Sequence, residues 1–222
     1  MFGRGLAGLE RDMTEVVYES PRLVSNADRN AGIIHNRMLH VVLQLHPVSL
    51  LEVGAGQGKL GAAFAQHGID YCGIEPVENE IEKGRQSYPG LRLIQASCYD
   101  DPEQLRGRTF DIVYSNDIIE HLYEPRKLAS FSRSYLRPGG MIVCGTPHYG
   151  SYLRNLLLAV ANRWDHHHNP LWDGGHIKFF SRATLHQLWA EAGFGDFQWG
   201  EIRSPRMPLM PMYLYCTAKL KQ

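Results

Sequence analysis

The feature that most constrains the fold of this sequence is a cluster of three glycines, GAGQG at residues 54–58, directly after an apolar run. Residues 50–53 (LLEV) have the composition of a short buried strand, and residues 59–66 place apolar side chains at helical spacing. A glycine turn between a strand and a helix lets backbone N–H groups approach a ligand closely. The cluster therefore predicts a strand–turn–helix unit that binds a ligand, with a bare tight turn as the alternative.

The middle of the chain continues with alternating strand-like and helix-like segments, which is typical of an α/β sheet. The predicted strands are residues 50–53, 71–74, 91–94, 110–114, 141–144, 197–202 and 212–218. The predicted helices are residues 59–66, 78–87 and 125–136, and a helix that Ser181 caps and that ends at Gly193. Because parallel neighbours require crossover helices, this order predicts a Rossmann-like sheet.

The length of 222 residues suits one domain, and we expect a single domain with two additions. Residues 1–46 begin polar and then carry apolar residues at helical spacing, which predicts an N-terminal helical cap. Residues 149–173 are a long insertion with two tryptophans and three consecutive histidines at 166–168. Functional lids take this form, so we expect a lid-like insertion, with a packed surface loop as the alternative.

Charge and composition argue against several classes of protein. Lysine plus arginine and aspartate plus glutamate both number 23, and no basic stripe is present, so we expect no nucleic-acid partner. No apolar run approaches the roughly 18 residues of a membrane span, and the first ten residues lack the apolar core of a signal peptide. The four cysteines are scattered without a CxxC pair, which indicates reduced, buried thiols of a cytoplasmic protein rather than a disulfide framework or a zinc site.

The glycines fit two different binding patterns. Gly56, Gly58 and Gly61 match the dinucleotide pattern G-x-G-x-x-G, which allows a nicotinamide-dependent oxidoreductase. The other frame starts at Gly54, directly after the predicted strand, and has the acidic Glu52 two positions before it. This second frame fits the end of the strand better. A third possibility is a non-catalytic subunit that binds the cofactor and steadies a partner enzyme.

Glu75 follows the next predicted strand, residues 71–74, and is expected at the same edge of the sheet as the glycine cluster. Open α/β sheets bind ligands at the carboxyl ends of their strands. A carboxylate at this edge can accept hydrogen bonds from both hydroxyls of a ribose. The alternative is an exposed glutamate at the end of a strand with no ligand. With the glycine cluster, Glu75 indicates an adenosine-type ligand.

Two further motifs make a family recognisable. Residues 110–122 (FDIVYSNDIIEHL) and 136–140 (LRPGG), together with the glycine cluster, resemble the class I S-adenosylmethionine-dependent methyltransferases. Residues 176–181 (HIKFFS) and 191–194 (EAGF) are similar to the branch that includes the ubiquinone-biosynthesis O-methyltransferases. The resemblance covers roughly residues 37–194, and its LRPGG turn has no place in an oxidoreductase.

The resemblance implies an α/β, doubly wound sheet that is mostly parallel, with an antiparallel last strand and helices on both faces. It implies S-adenosyl-L-methionine as cofactor, S-adenosyl-L-homocysteine as product, and methyl transfer to oxygen of a small-molecule acceptor by a monomer or homodimer. The residues that it assigns to cofactor binding are Arg37, Glu52, Gly54, Ala55, Gly56, Gly58, Glu75, Pro76, Ser97, Cys98, Asn116 and His121.

Individual roles follow from the same resemblance. Glu75 would hold the ribose hydroxyls, and Asn116 would face the methionine end of the cofactor. Arg37 aligns with an arginine that meets the cofactor carboxylate in the quinone branch. The sequence departs from its relatives after the third strand, where many carry an aspartate that contacts the adenine amine. Here Ser97 or the backbone of Cys98 is expected to replace it.

Histidines supply the candidate catalytic base. Methyl transfer is an in-line displacement in which the protein chiefly supplies proximity and orientation, and a base helps when the acceptor is a hydroxyl. His148 and His176 are the predicted candidates, with a structural role for each as the alternative. The consecutive histidines at 166–168 point in different directions and lack a carboxylate cluster, so we expect no metal.

Overall fold

The computed structural model of the chain describes residues 26–167, 175–205 and 208–221. Within these ranges the helices are α1 (Asn26–Leu43), α2 (Lys59–Gln66), α3 (Glu78–Ser87), α4 (Pro125–Tyr135), α5 (Tyr152–Val160) and α6 (Arg182–Glu191). The strands are β1 (Ser49–Val53), β2 (Asp70–Glu75), β3 (Leu93–Gln95), β4 (Phe110–Asn116), β5 (Leu136–Pro147), β6 (Phe194–Arg203) and β7 (Pro211–Leu220). Short 3-10 turns are formed by Glu103–Leu105, Ile119–His121 and Trp164–His167.

The chain divides into two compact units, Met1–Gly32 and Ile33–Gln222. In the first unit the structure describes only the start of α1, so most of the predicted N-terminal cap lies outside the described residues. The second unit contains the rest of α1 and the whole sheet. A single domain over the full chain therefore stays a prediction.

The seven strands of the described chain form one sheet in the order β3-β2-β1-β4-β5-β7-β6. The strands from β3 to β5 are parallel, and β7 is antiparallel to both of its neighbours, β5 and β6. The predicted doubly wound, mostly parallel sheet with an antiparallel last strand is confirmed. The strand order reverses between β1 and β4, and ligands bind in the crevice beside such a switch point.

Both faces of the sheet are covered by helices, as predicted. Because side chains alternate along a strand, Leu51 packs on one face of the sheet and its neighbour Leu50 packs on the other. The Leu51 face packs against α4 and α6, whose Trp189 is fully buried. The Leu50 face packs against α1, α2 and α3, with Phe64 of α2 fully buried. Burying a large apolar side chain contributes about 1.5–3 kcal/mol, so these two layers stabilise the sheet at whose edge the glycine turn lies.

The glycine-rich turn expected to end α4 is instead part of β5. Helix α4 ends at Tyr135, and Leu136 already pairs with Phe110 of β4. The next partners are Met141 and Ile112, so four residues on β5, 137–140, oppose the single residue Asp111 on β4. Residues 137–140 therefore bulge out of the ladder. The sequence analysis could not separate this bulge from a turn, because both need a residue such as Gly139, whose φ is +75°.

The predicted insertion at residues 149–173 has more regular structure than a loop. Its described part contains α5 and the 3-10 turn Trp164–His167, and residues 168–173, including His168 and Trp172, lie outside the described residues. No side chain of α5 is buried, and Tyr152 and Val160 are each 80% exposed. The described part of the insertion therefore includes a helix with an exposed apolar surface.

Two other expectations can be compared with the described residues. None of the described helices has both the length and the apolar character needed to cross a bilayer. All four cysteines are buried free thiols, as the sequence predicts. A cytoplasmic location stays a prediction.

Candidate functional site

The glycine cluster forms a turn at the carboxyl end of β1 that only glycine adopts easily. Gly54, Gly56 and Gly58 have φ values of +80°, +53° and +76°, the left-handed region that disfavours side chains. A Cβ on Gly54 would lie 2.0 Å from the Ile118 side chain, whereas a Cβ on Gly56 would meet no atom within 4 Å. Gly54 is therefore required by packing, and Gly56 borders open space that a ligand can fill.

Glu75 at the end of β2 holds this turn in place. The N–H of Gly56 donates to Glu75 Oε2 at 2.9 Å, and the N–H of Val77 donates to Oε1 at 3.0 Å. The N–H groups of Gly54 and Ala55 both donate to the carbonyl of Ile74. Each carboxylate oxygen accepts more than one hydrogen bond, so Glu75 orders the loop and can still accept from a ribose. The sequence analysis missed the first of these two roles.

A cleft of about 500 Å³, counting its open mouth, lies beside the turn. The predicted cofactor residues that line it are Gly54, Glu75, Pro76, Ser97, Cys98 and His121. The other lining residues, Val53, Ala96, Ile118 and Leu122, are apolar. An apolar cleft with a few fixed polar groups is typical of a small-molecule site. The structure therefore brings together, at one sheet edge, six of the residues that the sequence assigned to the cofactor.

At the end of the cleft that follows β3, Ser97 is held by an acidic residue, Asp100, that the sequence analysis did not assign. The N–H and the hydroxyl of Ser97 both donate to Asp100 Oδ2, at 2.7 and 2.8 Å. Asp100 therefore fixes the orientation of the Ser97 hydroxyl, which lines the cleft. Burial raises the pKa of the Cys98 thiol to about 11, so Cys98 lines the cleft as a neutral thiol.

Glu52 and Arg37 are not among the described residues that line this cleft. Glu52 shares a sheet face with Leu50, opposite to Val53, and its Oε2 accepts a 2.6 Å hydrogen bond from the hydroxyl of Tyr71. Burial raises the pKa of Glu52 to about 8. Arg37 lies on α1 with an exposed side chain. In the structure, Glu52 is buried just before the turn and hydrogen-bonds Tyr71. Direct contact of Glu52 or Arg37 with the cofactor stays a prediction.

Among the described residues, a buried polar atom without a hydrogen-bond partner lies at the carboxyl end of β4. Asn116 Nδ2 donates to Asp117 Oδ2 at 2.8 Å, but Asn116 Oδ1 is buried with no hydrogen-bond partner among the described residues. The hydroxyl of the neighbouring Tyr213 interacts with the carboxyl group of Asp117. A Cβ on Gly145 would lie 2.9 Å from Asn116 Oδ1, so this glycine keeps the space open. Unpaired buried acceptors are costly, and an ammonium group is a donor that fits them.

The two predicted bases lie in different surroundings. His148, directly after β5, is 7% exposed, and its Nε2 lies 3.4 Å from Glu201 Oε1. Its Nδ1 is buried with no hydrogen-bond partner among the described residues. Nδ1 of His176 instead hydrogen-bonds the hydroxyl of Tyr149, and its ring stands edge-on to His121 with centroids 4.8 Å apart.

His176 belongs to a cluster that the sequence analysis did not find. Ligand-type atoms of Glu120, His121 and His176 all lie within 4.8 Å of one another. Glu120 is buried and the nearby Asp117 is partly buried, desolvation raises the pKa of each carboxyl group, and the two side chains hydrogen-bond each other. The predicted absence of a metal considered only the consecutive histidines. Glu120 and His176 are 56 positions apart, so no spacing pattern pointed to this cluster.

A second cavity of about 360 Å³ lies beneath the insertion. Its lining residues are Tyr149, Asn155, Trp164, His167, Phe179, Phe180 and Ser181. Tyr149 also contacts His176, and His176 in turn contacts His121 of the first cleft. A chain of neighbouring side chains therefore links the apolar cleft with this aromatic cavity.

The fold and this site define the class of the protein. A glycine turn after β1, a carboxylate at the end of β2 and a cleft beside the switch point form a Rossmann-like domain that binds a nucleoside cofactor. The profile of the family described as Methyltransferase domain matches residues 20–198. The chain belongs to this family, and the predicted recognition as an S-adenosylmethionine-dependent methyltransferase domain is confirmed.

Individual relatives are distant. An uncharacterized methyltransferase from Mycobacterium sp. (strain JLS) is 34% identical over 95 residues, 43% of this chain and 37% of the relative. A ubiquinone biosynthesis O-methyltransferase from Cereibacter sphaeroides is 26% identical over 161 residues, 71% of this chain and 64% of the relative. The chain thus matches between about two fifths and two thirds of the length of these relatives.

A solved structure of similar fold contains the product of the cofactor. Magnesium protoporphyrin IX methyltransferase from Synechocystis PCC 6803, with bound S-adenosylhomocysteine, has a TM-score of 0.69 at 13% identity. The match covers 91% of this chain and 90% of the other. At this identity the likeness shows the fold, and S-adenosylmethionine is the cofactor of the family to which the chain belongs.

Proposed function

We propose that this protein transfers a methyl group from S-adenosylmethionine to an oxygen of a small-molecule acceptor. The observation that carries the proposal is the convergence of Gly54, Glu75 and His121 on one cleft, linked through His176 and Tyr149 to a second, aromatic cavity. The ubiquinone-biosynthesis name of one relative favours oxygen as the acceptor atom.

The residues of the first cleft suit the three parts of the cofactor. The apolar lining would take the adenine, with Ser97, oriented by Asp100, at its polar edge. Glu75 would accept hydrogen bonds from the ribose hydroxyls. The buried Oδ1 of Asn116 and the carboxylate of Asp117 would accept from the ammonium of the methionine end.

His148 is our choice for the base that removes the proton of the acceptor hydroxyl. Its Nδ1 has a lone pair to accept that proton when the ring is neutral with hydrogen on Nε2, and Glu201 beside Nε2 stabilises the resulting cation. A Cβ on Gly150 would lie 3.5 Å from both His148 Cε1 and Ser181 Cβ. The ring of His148 therefore lies near the wall of the aromatic cavity. His176, the other predicted base, holds Tyr149 in place.

The cofactor supplies an electrophilic sulfonium methyl group, which an in-line displacement transfers. The protein contributes orientation and exclusion of water. The described part of residues 149–173 covers the aromatic cavity, which supports a lid role for the insertion. Tyr149, Trp164 and Phe179 favour a flat aromatic acceptor, because aromatic side chains pack well on planar rings.

Calorimetry with three ligands tests which cofactor the protein binds. We expect S-adenosylmethionine and S-adenosylhomocysteine to bind with one site per chain, and a nicotinamide dinucleotide not to bind. Binding of the dinucleotide alone would favour the oxidoreductase alternative.

Turnover distinguishes an enzyme from a cofactor-binding subunit. A panel of phenols, catechols, carboxylic acids and amines is incubated with radiolabelled S-adenosylmethionine, and methylated products are counted. We expect label in a hydroxyl acceptor, and we expect His148→Ala to lower kcat strongly with little change in cofactor affinity. The matched control is His67→Ala, because His67 is exposed and lies at the opposite end of α2 from the turn. Label only in amines would refute the oxygen assignment.

A further inference from the structure

Helix α5 contributes one residue, Asn155, to the described lining of the aromatic cavity beneath the insertion. The next two residues of the helix, Leu156 and Leu157, are 46% and 52% exposed, whereas Asn155 is partly buried. Burial normally favours apolar side chains over amides, so packing alone would place a leucine rather than Asn155 against the cavity. The reversed arrangement indicates that the amide has a specific partner at this position.

The backbone orients the amide of Asn155. Its Nδ2 donates to the carbonyl of Tyr149 at 3.0 Å, and because a carbonyl only accepts, this bond fixes which end of the amide is the oxygen. The backbone N–H of Asn155 donates to the carbonyl of Ser151 at 2.9 Å. Both bonds go to the segment that follows β5, so the side chain is held against the end of the sheet.

The oxygen of this amide lacks a donor. Oδ1 of Asn155 is buried and has no hydrogen-bond partner among the described residues. Leaving a buried acceptor without a donor is costly, and buried side-chain oxygens in folded proteins are normally hydrogen-bonded. Since Asn155 lines a cavity, a ligand in that cavity that carries an O–H or N–H group can supply the missing donor.

Two other polar side chains of the cavity already have partners. The hydroxyl of Tyr149 hydrogen-bonds Nδ1 of His176. Ser181 caps α6, and its hydroxyl accepts from the N–H of Thr184 at 3.3 Å. No lysine, arginine, aspartate or glutamate is among the described residues that line the cavity, and three of them are tryptophan or phenylalanine. The cavity therefore suits an uncharged aromatic ligand with a donor for Asn155.

We propose that Asn155 determines specificity for the methyl acceptor. Its Oδ1 accepts a hydrogen bond from an O–H or N–H group of the acceptor other than the hydroxyl that is methylated. This inference rests on the proposed function, in which the aromatic cavity binds the acceptor. A site that hydrogen-bonds a donor of its substrate rejects an analogue without that donor, because the buried group of the site is then left unpaired. Phenols with no second donor should therefore bind weakly.

Paired probes that differ in one donor test the proposal without turnover. The three aminophenols and the three methylphenols carry the same hydroxyl, and their NH₂ and CH₃ groups are similar in size. Calorimetry measures their binding to the full-length protein saturated with S-adenosylhomocysteine. We expect at least one aminophenol to bind about 5- to 150-fold more tightly than the matching methylphenol, the range for satisfying a buried polar group. Equal binding within all three pairs, or no binding of any probe, refutes the proposal.

Variants of Asn155 assign the preference to this residue. Asn155→Leu has a side chain of similar size without an acceptor, and it should bind both members of the preferred pair with equal affinity. Asn155→Ala is a second variant with the same expectation, and binding of S-adenosylhomocysteine identifies the folded variants. The matched control is Asn162→Gly, because Asn162 is an exposed asparagine of the same insertion whose φ of +53° suits glycine. If a folded Asn155 variant keeps the preference, or if Asn162→Gly loses it, Asn155 is not the specificity residue.

Turnover separates this proposal from the proposed function. If the parent prefers an aminophenol through Asn155 but never methylates a hydroxyl, the donor site stands and the proposed function fails. If the parent methylates the hydroxyl of each methylphenol and of its matching aminophenol with the same kcat/KM, the proposed function stands and the role of Asn155 is refuted.

Discussion

Replacing Glu75 tests the assignment of the cofactor cleft most directly. Its carboxylate makes two different kinds of interaction: the hydrogen bonds from the N–H groups of Gly56 and Val77, and the proposed bonds to the ribose. Glu75→Ala removes both. Glu75→Gln keeps the shape of the side chain but places an amide NH₂ against one of the two backbone N–H groups. We therefore expect both variants to lose affinity, and the alanine variant to lose more.

The size of the effect follows from the charge of the acceptor. Hydrogen bonds to a charged group contribute about 1.5–3 kcal/mol. At about 1.4 kcal/mol per factor of ten, loss of the ribose contact raises Kd by about 10- to 150-fold. The fold should survive because Glu75 lies at the end of β2, beside the cleft.

A modified ligand separates the two roles of Glu75. Calorimetry compares S-adenosylhomocysteine with its 2′-deoxy analogue for the parent, Glu75→Ala and the control Glu82→Gln, an exposed residue of α3. The parent and the control should discriminate against the analogue, and Glu75→Ala should bind both ligands with the same reduced affinity. If Glu75→Ala still prefers the ribose ligand, or binds it as tightly as the parent, the ribose assignment is wrong.

Three further predictions concern the turn, the strand beneath it and the insertion. Gly56→Ala should lower the free energy of unfolding, measured with denaturant, by about 1–2 kcal/mol, because φ is positive at this position. Gly54→Ala should lower it further, because the side chain of Ile118 would also have to move. Equal losses of stability would contradict the contact between Gly54 and Ile118. Burial raises the pKa of Glu52 from 4.5 to about 8, so the folded state retains a proton that the unfolded state releases. Stability should fall by about 1.4 kcal/mol per pH unit between about pH 5 and 8, relative to Glu52→Gln, and parallel pH profiles would show that Glu52 titrates normally. Hydrogen exchange at residues 149–167 should slow when S-adenosylhomocysteine and an acceptor are both bound; an unchanged rate would make the insertion ordinary packing.

The sequence was sufficient for the strand–turn–helix units of the sheet. The apolar run before Gly54, the helical spacing of residues 59–66 and the acid at Glu75 are local patterns, and the structure places them as predicted. Backbone conformation and alternation along a strand depend mainly on neighbouring residues, which is why these elements were predictable. The bulge at residues 137–140 was not, because its irregular pairing with β4 depends on the partner strand.

Which residues form the site could be established only from the tertiary structure. Glu52 precedes the turn in sequence but packs against Tyr71 on the other face of the sheet, because side chains alternate along β1. The buried Oδ1 of Asn116, which has no hydrogen-bond partner among the described residues, is enclosed only when β5 and its neighbours pack together. The sequence by itself therefore determined the family, the sheet and the cofactor turn. Only the tertiary structure brought Glu120 and His176 together, because that contact joins the end of β4 to a segment 56 residues later in the chain.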